Sequence, residues 1–279
     1  MDESVAAPPP LQRRIPNLGH ALLLFAFAGL SFFVFEVIAI LIGGLPVTTD
    51  AGHLVIHHPK LQLAAEGGAY LVTLMAAWLV FPLLWHRSFL DGLQWRWSAA
   101  WSQLGKLLPL GLLLGILSGV VNALFASKKP PPIDQFFASA SDAWIITLFG
   151  IVVAPIFEEI FFRGFLVPAF AIAYDWLSME RTDAGRANWW TTTTLTPAAW
   201  VFAAIVSSVG FAAIHGAQLA YAWGALGVLF SVSLILTWVR VKTQSVAASI
   251  LVHSAYNSFI FVATIIATGG YRHLDRMPH

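Results

Sequence analysis

Two adjacent glutamates and an arginine lie inside a long apolar stretch, in the segment Ala154–Gly164. Ionisable groups are expensive to bury in a membrane segment, so they mark a candidate functional site. On a helix, Glu159 and Arg163 are four residues apart and can pair on one face. Glu158 lies about 100° further round and has no cation three or four residues away. The spacing predicts a paired carboxylate beside a second one that can act as a general base. The alternative is an ion-pair cluster that only holds helices together.

Two further pairs of polar or aromatic residues lie in apolar stretches of the sequence. Phe211 and His215 are four residues apart, and so are His253 and Asn257, so each pair shares one face of a helix. A single histidine in a membrane is usually a hydrogen-bonded packing residue. Burying all of these groups separately would leave several of them without hydrogen-bond partners. The combination therefore predicts that the pairs converge with Glu158 in one polar cavity.

The chemistry that such a cavity supports is the attack of water on a carbonyl group. Glu158 would take a proton from water, and His215 would help to hold or share it. His253 and Asn257 would donate hydrogen bonds to the oxyanion, while Glu159 and Arg163 would support them. A cysteine nucleophile is excluded because the chain contains no cysteine, and the sequence contains no Gly-x-Ser-x-Gly motif.

Composition places these motifs in a polytopic membrane protein of all-α class. Hydrophobic residues make up 58% of the 279 residues and charged residues only 10%, and the apolar runs are too long for barrel strands. We predict about seven (six to eight) transmembrane helices around a polar cavity. Their expected ranges are about 21–42, 64–85, 104–125, 143–174, 198–215, 221–239 and 246–268. The formal net charge is only +1, so no nucleic-acid partner is expected.

Four segments are predicted along the chain. Residues 1–19 form a Pro-rich disordered tail, residues 20–142 the N-terminal transmembrane helices, residues 143–268 the catalytic membrane core and residues 269–279 a second tail. The distribution of loop cations favours a cytoplasmic N-terminus, so seven spans would put the C-terminus outside. We expect a multi-pass protein of a prokaryotic plasma membrane. The oligomeric state cannot be read from the sequence.

Several other features are expected to be structural. Gly111, Gly115 and Gly119 recur every four residues, which predicts a close helix–helix contact. Pro155 should kink the helix one turn before the glutamates. The single acid Glu36 is not expected to be catalytic, and Glu66 is expected at the edge of the second helix. The segment around residues 85–101 combines tryptophans with cations, which is typical of a short helix at the membrane interface. A solvated loop, rather than a metal site, is expected for His53, His57 and His58, and a second loop for residues 175–197.

The predicted depths of the two histidines do not match. His215 falls at the outer end of its helix, whereas His253 lies only about 11 Å from the inner end of the last one. If the motifs converge, the helix boundaries must differ from those expected.

The motifs Glu158-Glu159-x-x-x-Arg163, Phe211-x-x-x-His215 and His253-x-x-x-Asn257 resemble those of the CAAX-protease and bacteriocin-processing (CPBP) family of intramembrane endopeptidases. This family includes the type II CAAX prenyl proteases, and the resemblance extends from about residue 143 to residue 268. It implies a helical-bundle protease whose active site consists of Glu158, His215 and His253, with Asn257 assisting. The implied substrate is a peptide or a membrane protein in the lipid bilayer.

The resemblance leaves the cofactor open, because the family has been classed both as metallopeptidases and as metal-free glutamate proteases. Glu158, His215 and His253 are suitable zinc ligands, but no His-Glu-x-x-His motif is present. We therefore expect a site without metal, with zinc as the alternative. Two further alternatives to an endopeptidase are a non-catalytic scaffold or bacteriocin self-immunity protein, and a proton-coupled transporter. No internal repeat supports the transporter.

Overall fold

The computed structural model of the chain describes residues 14–43, 48–50, 53–55, 58–124 and 132–277. Within these ranges, seven helices are long and apolar enough to cross a membrane. This confirms the prediction of an all-α membrane bundle with about seven spans. Most of the predicted N-terminal tail, as well as His57, lies outside the described residues.

The elements follow one another along the chain as a series of helices with one small hairpin. They are α1 (Leu18–Gly43), β1 (Thr48–Asp50), β2 (His53–Val55), α2 (Pro59–Trp85), α3 (Phe89–Leu93), α4 (Trp97–Ser102), α5 (Leu104–Leu124), a 3₁₀ turn (Pro132–Phe137), α6 (Ala140–Leu148), a first π segment (Phe149–Val153), α7 (Ala154–Glu159), a second π segment (Ile160–Leu166), α8 (Val167–Ser178), α9 (Asp183–Thr191), α10 (Pro197–Ile214), α11 (Trp223–Thr243), α12 (Val246–Ala267) and a final 3₁₀ turn (Leu274–Arg276). The elements from α6 to α8 form one continuous helical span, Ala140–Ser178, which we call the long helix.

Two segments that were expected to be loops contain regular structure. The strands β1 and β2 pair antiparallel within the segment before α2. In the segment after the long helix, α9 begins where the side chain of Thr182 accepts a hydrogen bond from the N–H of Gly185. Arg186 also pairs with Asp183 at 2.7 Å. Capping and a pair at i,i+3 therefore form a short helix that hydrophobic periodicity could not reveal.

The bundle is assembled from neighbouring pairs of helices. The most extensive contacts join α1 to α2, α5 to α12, α8 to α10, and α10 to α11. One apolar core holds α2, α3 and the long helix together, and its largest members are Phe81, Trp85, Phe89 and Phe165. Many large apolar side chains on the outer faces are exposed, as expected for helices that contact lipid.

The glycine stripe of α5 faces α12, as its spacing predicts. A Cβ atom at Gly111 would clash with the carbonyl oxygen of Val252, and one at Gly115 would lie 2.7 Å from the side chain of Phe259. By contrast, a Cβ atom at Gly119 would meet nothing within 4 Å. The stripe therefore contributes two close contacts rather than three, and the backbones of α5 and α12 approach most closely at Gly111.

We expect Gly111→Ala to destabilise the protein by about 1–3 kcal/mol, because a backbone oxygen cannot move aside and the two helices must separate. Thermal unfolding of the purified protein in detergent measures the change. Gly119→Ala is the matched control and should be neutral or slightly stabilising, since alanine favours a helix over glycine. Equal melting temperatures for the two variants would contradict this account of the interface.

Candidate active site

The long helix departs from α-helical geometry on both sides of the two glutamates. The N–H of Ala154 bonds to the carbonyl of Phe149, and the N–H of Val167 bonds to that of Phe162, so both bonds span five residues. Such π segments occur frequently at functional sites. The sequence predicted a kink at Pro155, and the structure has a π segment on each side of α7, the helix that contains this proline. The six residues of α7 carry Glu158 and Glu159.

Glu159 is fully buried and connects two other functional groups. Its Oε1 accepts a hydrogen bond from Arg163 Nη1 at 2.8 Å and another from His253 Nδ1 at 2.9 Å. Neither Glu159 nor Arg163 exposes any of its side chain. The predicted i,i+4 pair is thus formed, and it also fixes the imidazole of the last transmembrane helix.

Two serines that the sequence analysis did not identify extend the hydrogen-bond network from Arg163. Its Nη2 donates to the carbonyl oxygen of Ser233 at 2.9 Å and to the hydroxyl of the same residue at 2.8 Å. The hydroxyl of Ser233 in turn donates to that of Ser208 at 2.9 Å. The network therefore joins the long helix to α10, α11 and α12. Serines within apolar spans were the only sequence signal for it, and this signal does not specify a partner.

Glu158 projects away from this network, and both histidines point at it. Its Oε1 lies 3.9 Å from His215 Nε2, and its Oε2 lies 3.8 Å from His253 Nε2. The Oε2 atom is buried and accepts no hydrogen bond from the described residues. The exposed fractions of the three side chains are 12% for Glu158, 19% for His215 and 5% for His253. The carboxylate is therefore nearly enclosed and has an imidazole nitrogen beside each oxygen.

The hydrogen bonds on the far side of each ring determine which nitrogen faces Glu158. His215 Nδ1 lies 2.8 Å from the carbonyl oxygen of Phe211. A carbonyl can only accept, so Nδ1 carries the proton and Nε2 of the neutral ring has a free lone pair. In His253, Nδ1 donates to the Glu159 carboxylate, and this bond turns Nε2 towards Glu158.

The point at which α10 begins explains the position of His215, one of the two histidines whose predicted depths did not match. The N–H of Thr196, just before α10, bonds to Asp175 Oδ2 at 2.9 Å, near the end of α8. The helix α10 therefore begins beside the far end of the long helix. All 18 of its residues lie before His215, and this length brings His215 back to the level of Glu158.

The point at which α12 begins explains the position of the other histidine, His253. The N–H of Val246 bonds to the carbonyl of Gln94 at 3.2 Å, and the neighbouring Leu93 lies against Gly164 of the long helix. Gly164 and Asp175 are eleven residues apart, or about 16 Å along a helix. Measured along the long helix, α12 therefore begins about 16 Å closer to Glu158 than α10 does. Two helical turns are enough to bring His253 to the carboxylate of Glu158.

Asn257 makes a contact that its predicted role did not anticipate. Its Nδ2 donates to the carbonyl oxygen of Gly150 in the first π segment, at 2.6 Å. The next donor in the π pattern would be the N–H of residue 155, but proline has none. Asn257 therefore satisfies a carbonyl that Pro155 leaves without a main-chain partner, and one of its two amide hydrogens remains for the oxyanion role expected of it.

Phe211 packs between the polar groups of the site. Its ring is buried, and its centroid lies 4.8 Å from that of His215 and 5.9 Å from that of His253. The guanidinium of Arg163 lies 4.9 Å from the ring centroid. Phe211 therefore sets the spacing of the two imidazoles and contacts the supporting cation.

The same residues are also candidate metal ligands. In the part of the chain that the structure describes, no group of three or more His, Cys, Asp or Glu side chains is placed to hold a metal ion. His58 belongs to no such group. Glu158, His215 and His253 have the donor atoms that zinc uses.

The comparison with known proteins gives one match. The family model described as type II CAAX prenyl endopeptidase Rce1-like matches residues 140–259, a range that contains all three motifs. The resemblance predicted from these motifs is thereby confirmed for this part of the chain, and it supports a membrane endopeptidase of the CAAX type. No curated protein and no solved structure gives a significant match to the chain.

We expect Arg163→Met to destabilise the protein by about 3–5 kcal/mol, because it leaves the Glu159 charge buried without its cation. Thermal unfolding in detergent measures the effect. Adding Glu159→Gln should restore part of the lost stability, since the unpaired charge is then removed. Arg272→Met, at an exposed position, is the control. Independent, additive effects of the two buried substitutions would contradict the pairing.

The contact of Asn257 with the π segment makes a separate prediction. Asn257→Ala should cost about 1–3 kcal/mol, since the Gly150 carbonyl then loses its donor. Pro155→Ala supplies a main-chain N–H at the missing position, so the double variant should be more stable than the sum of the two single effects. A double-mutant cycle of unfolding free energies measures this coupling. A coupling of zero would show that Asn257 does not compensate for the proline.

Proposed function

We propose that this chain, which carries a type II CAAX prenyl endopeptidase-like region, is an intramembrane endopeptidase in which Glu158 and His215 activate water without a metal. The observation that supports this most directly is the position of Glu158. Its carboxylate is nearly enclosed, makes no direct hydrogen bond to either histidine, and has an Nε2 atom 3.8–3.9 Å from each oxygen.

The protonation pattern of the pair favours water as the group between them. The carboxylate of Glu158 and the neutral Nε2 of His215 both accept hydrogen bonds, so neither can donate to the other. At 3.9 Å, a single water at ordinary hydrogen-bond distance from each atom can donate one proton to each. Such a water is held with its oxygen lone pairs directed away from both acceptors and towards a substrate carbonyl.

The reaction then proceeds as follows. The water oxygen forms a bond to the carbonyl carbon of the substrate, and its proton moves to the Glu158–His215 pair. The carbonyl oxygen becomes an oxyanion. When the C–N bond breaks, the pair returns the proton to the leaving nitrogen, so the products are a carboxylic acid and an amine. The pair ends each cycle in its starting state.

His253 is proposed as the main oxyanion donor. Its ring is held by the carboxylate of Glu159, which balances the positive charge that the imidazole gains when Nε2 also carries a proton. The resulting Nε2–H faces the same space as Glu158 Oε2, 3.8 Å away, and can donate to a developing negative charge. The remaining amide hydrogen of Asn257 is the proposed second donor.

The proposed substrate is a peptide or a membrane-protein segment that reaches this enclosed site from the bilayer. The seven apolar helices and the family match indicate a multi-pass membrane protein. The prokaryotic plasma membrane and the cytoplasmic N-terminus predicted from the sequence remain part of the proposal.

We expect Glu158→Gln to lower kcat by about two to four orders of magnitude, because the amide cannot take the proton of the water. The assay is cleavage of a quenched-fluorescent peptide panel by the purified protein in detergent. The control is Glu36→Gln, the same change at an exposed position on α1, which should cleave like the parent. Melting temperatures should confirm that both variants are folded.

A strong zinc chelator in the same assay separates the metal-free proposal from its alternative. Activity that survives chelation and disappears in Glu158→Gln supports water activation by the carboxylate. Activity lost to the chelator and restored by zinc would assign Glu158, His215 and His253 to a metal instead. Equal cleavage by Glu158→Gln and the parent would refute the role of this carboxylate, and a parent inactive on the whole panel would favour a non-catalytic scaffold.

A further inference from the structure

A buried arginine outside the candidate active site is held without a carboxylate. Arg240, in the last turn of α11, is only 5% exposed. Its Nη2 donates to Gln94 Oε1 at 3.0 Å and to the carbonyl oxygen of Leu93 at 3.4 Å. Its Nε is buried and has no hydrogen-bond partner among the described residues. The guanidinium is therefore bound only by neutral acceptors, which is a costly state for a buried charge.

A second guanidinium is held in the same way on the facing segment. Arg96 Nη1 donates to Gln244 Oε1 at 2.9 Å. Gln244 ends α11 four residues after Arg240, and Gln94 lies two residues before Arg96. The main chain holds the two segments together, since the N–H of Val246 bonds to the carbonyl oxygen of Gln94 at 3.2 Å. Two arginine–glutamine pairs therefore cross between the same segments. We call these four residues, Gln94, Arg96, Arg240 and Gln244, the arginine–glutamine cluster.

The segments around the cluster carry a large excess of positive charge. Residues 85–106 and 238–246 contain five cations and one acid. The cations are Arg87, Arg96, Lys106, Arg240 and Lys242, and the acid is Asp91. The carboxylate of Asp91 accepts a hydrogen bond from the hydroxyl of Ser88. Within the described ranges, no ion pair includes either arginine of the cluster. The cluster therefore has the composition of an anion-binding site.

Exposed tryptophans place the cluster at the level of the phospholipid headgroups. Trp97, Trp101 and Trp238 are 49%, 60% and 56% exposed, and the rings of Trp97 and Trp101 stack with their centroids 6.0 Å apart. Exposed tryptophans beside cations are typical of the membrane–water interface. Basic clusters between transmembrane helices at this level bind the phosphate groups of anionic lipids. The anion that is nearest at hand is therefore a lipid phosphate.

We propose that the arginine–glutamine cluster binds the phosphate group of an anionic phospholipid. Phosphate oxygens would replace the two glutamine oxygens as acceptors and would form stronger, charge-assisted hydrogen bonds to the guanidiniums. The amides of Gln94 and Gln244, both exposed, would then donate N–H groups to the same phosphate. A free phosphate ion offers the same oxygens, but the acyl chains of a lipid also hold them at this level. The proposal does not depend on peptide cleavage.

The first test measures how thermal unfolding depends on lipid. The delipidated protein in a neutral detergent is titrated with phosphatidylglycerol, phosphatidylcholine or inorganic phosphate. Phosphatidylglycerol should raise the melting temperature by about 3 °C or more, because a ligand that binds the folded state stabilises it. Phosphatidylcholine, whose choline balances its phosphate, and inorganic phosphate should have smaller effects. An equal shift with inorganic phosphate would assign the cluster to a free ion, and equal shifts with both lipids would overturn the proposal.

A matched pair of variants separates a built site from general attraction to a basic surface. Arg96→Gln and Arg87→Gln each remove one exposed positive charge at the same end of the bundle, but only Arg96 belongs to the cluster. Arg96→Gln should weaken the apparent affinity for phosphatidylglycerol about tenfold, since a charge-assisted hydrogen bond is lost. Arg87→Gln should stay within about twofold of the parent, because a single exposed charge contributes little. Equal losses in the two variants would argue against a site.

Gln94→Glu tests the buried arginine without removing it. The new carboxylate would take the position of the oxygen that already binds Arg240 Nη2, so the variant carries its own anion. It should melt at a higher temperature than the parent in the absence of lipid and lose most of the response to phosphatidylglycerol. A lipid response equal to that of the parent would show that Arg240 does not bind the phosphate.

Discussion

The structure depends on the hydrogen bonds that Glu159 makes to Arg163 and His253 in the middle of the bundle. In a membrane interior, each buried charge must be satisfied by the protein itself, since water is not available. Arg163 therefore extends the network to Ser233, and Ser233 extends it to Ser208. The result is a polar connection between four helices, and it fixes the histidine of α12 in position and orientation.

This network allows the neighbouring carboxylate to remain without a salt bridge to a lysine or arginine. The helical rotation between consecutive residues points Glu158 away from Arg163, towards the two Nε2 atoms. One glutamate therefore has a structural role, and the other is available for chemistry. The π segments on either side alter the local helix, and Asn257 satisfies the carbonyl that one of them leaves exposed. Asn257 of the third motif therefore also supports the helix that carries the Glu158-Glu159 motif.

The N-terminal half of the chain determines how these motifs meet. The carbonyl of Gln94 and the packing of Leu93 on the long helix set the level at which α12 begins. Helix α2 supplies Tyr70, which stacks on Phe157. Tyr70, Leu93 and Gln94 all lie outside the range that matches the family model. They therefore account for geometry that the family motifs alone do not specify.

Apolar length and i,i+4 spacing within single helices were enough to predict the class of protein, the number of spans and the Glu159–Arg163 pair. The cost of burying several polar groups separately predicted that Glu158, His215 and His253 converge. The sequence could not determine the relative depths of α10 and α12, the link from Arg163 through Ser233 to Ser208, the bond from Asn257 to Gly150 or the stacking of Tyr70 on Phe157. These features depend on contacts between residues far apart in the chain. Only the packing of one helix against another decides them. A helical pattern fixes the face on which a residue lies, but it fixes neither the depth of that residue in the bundle nor its partner.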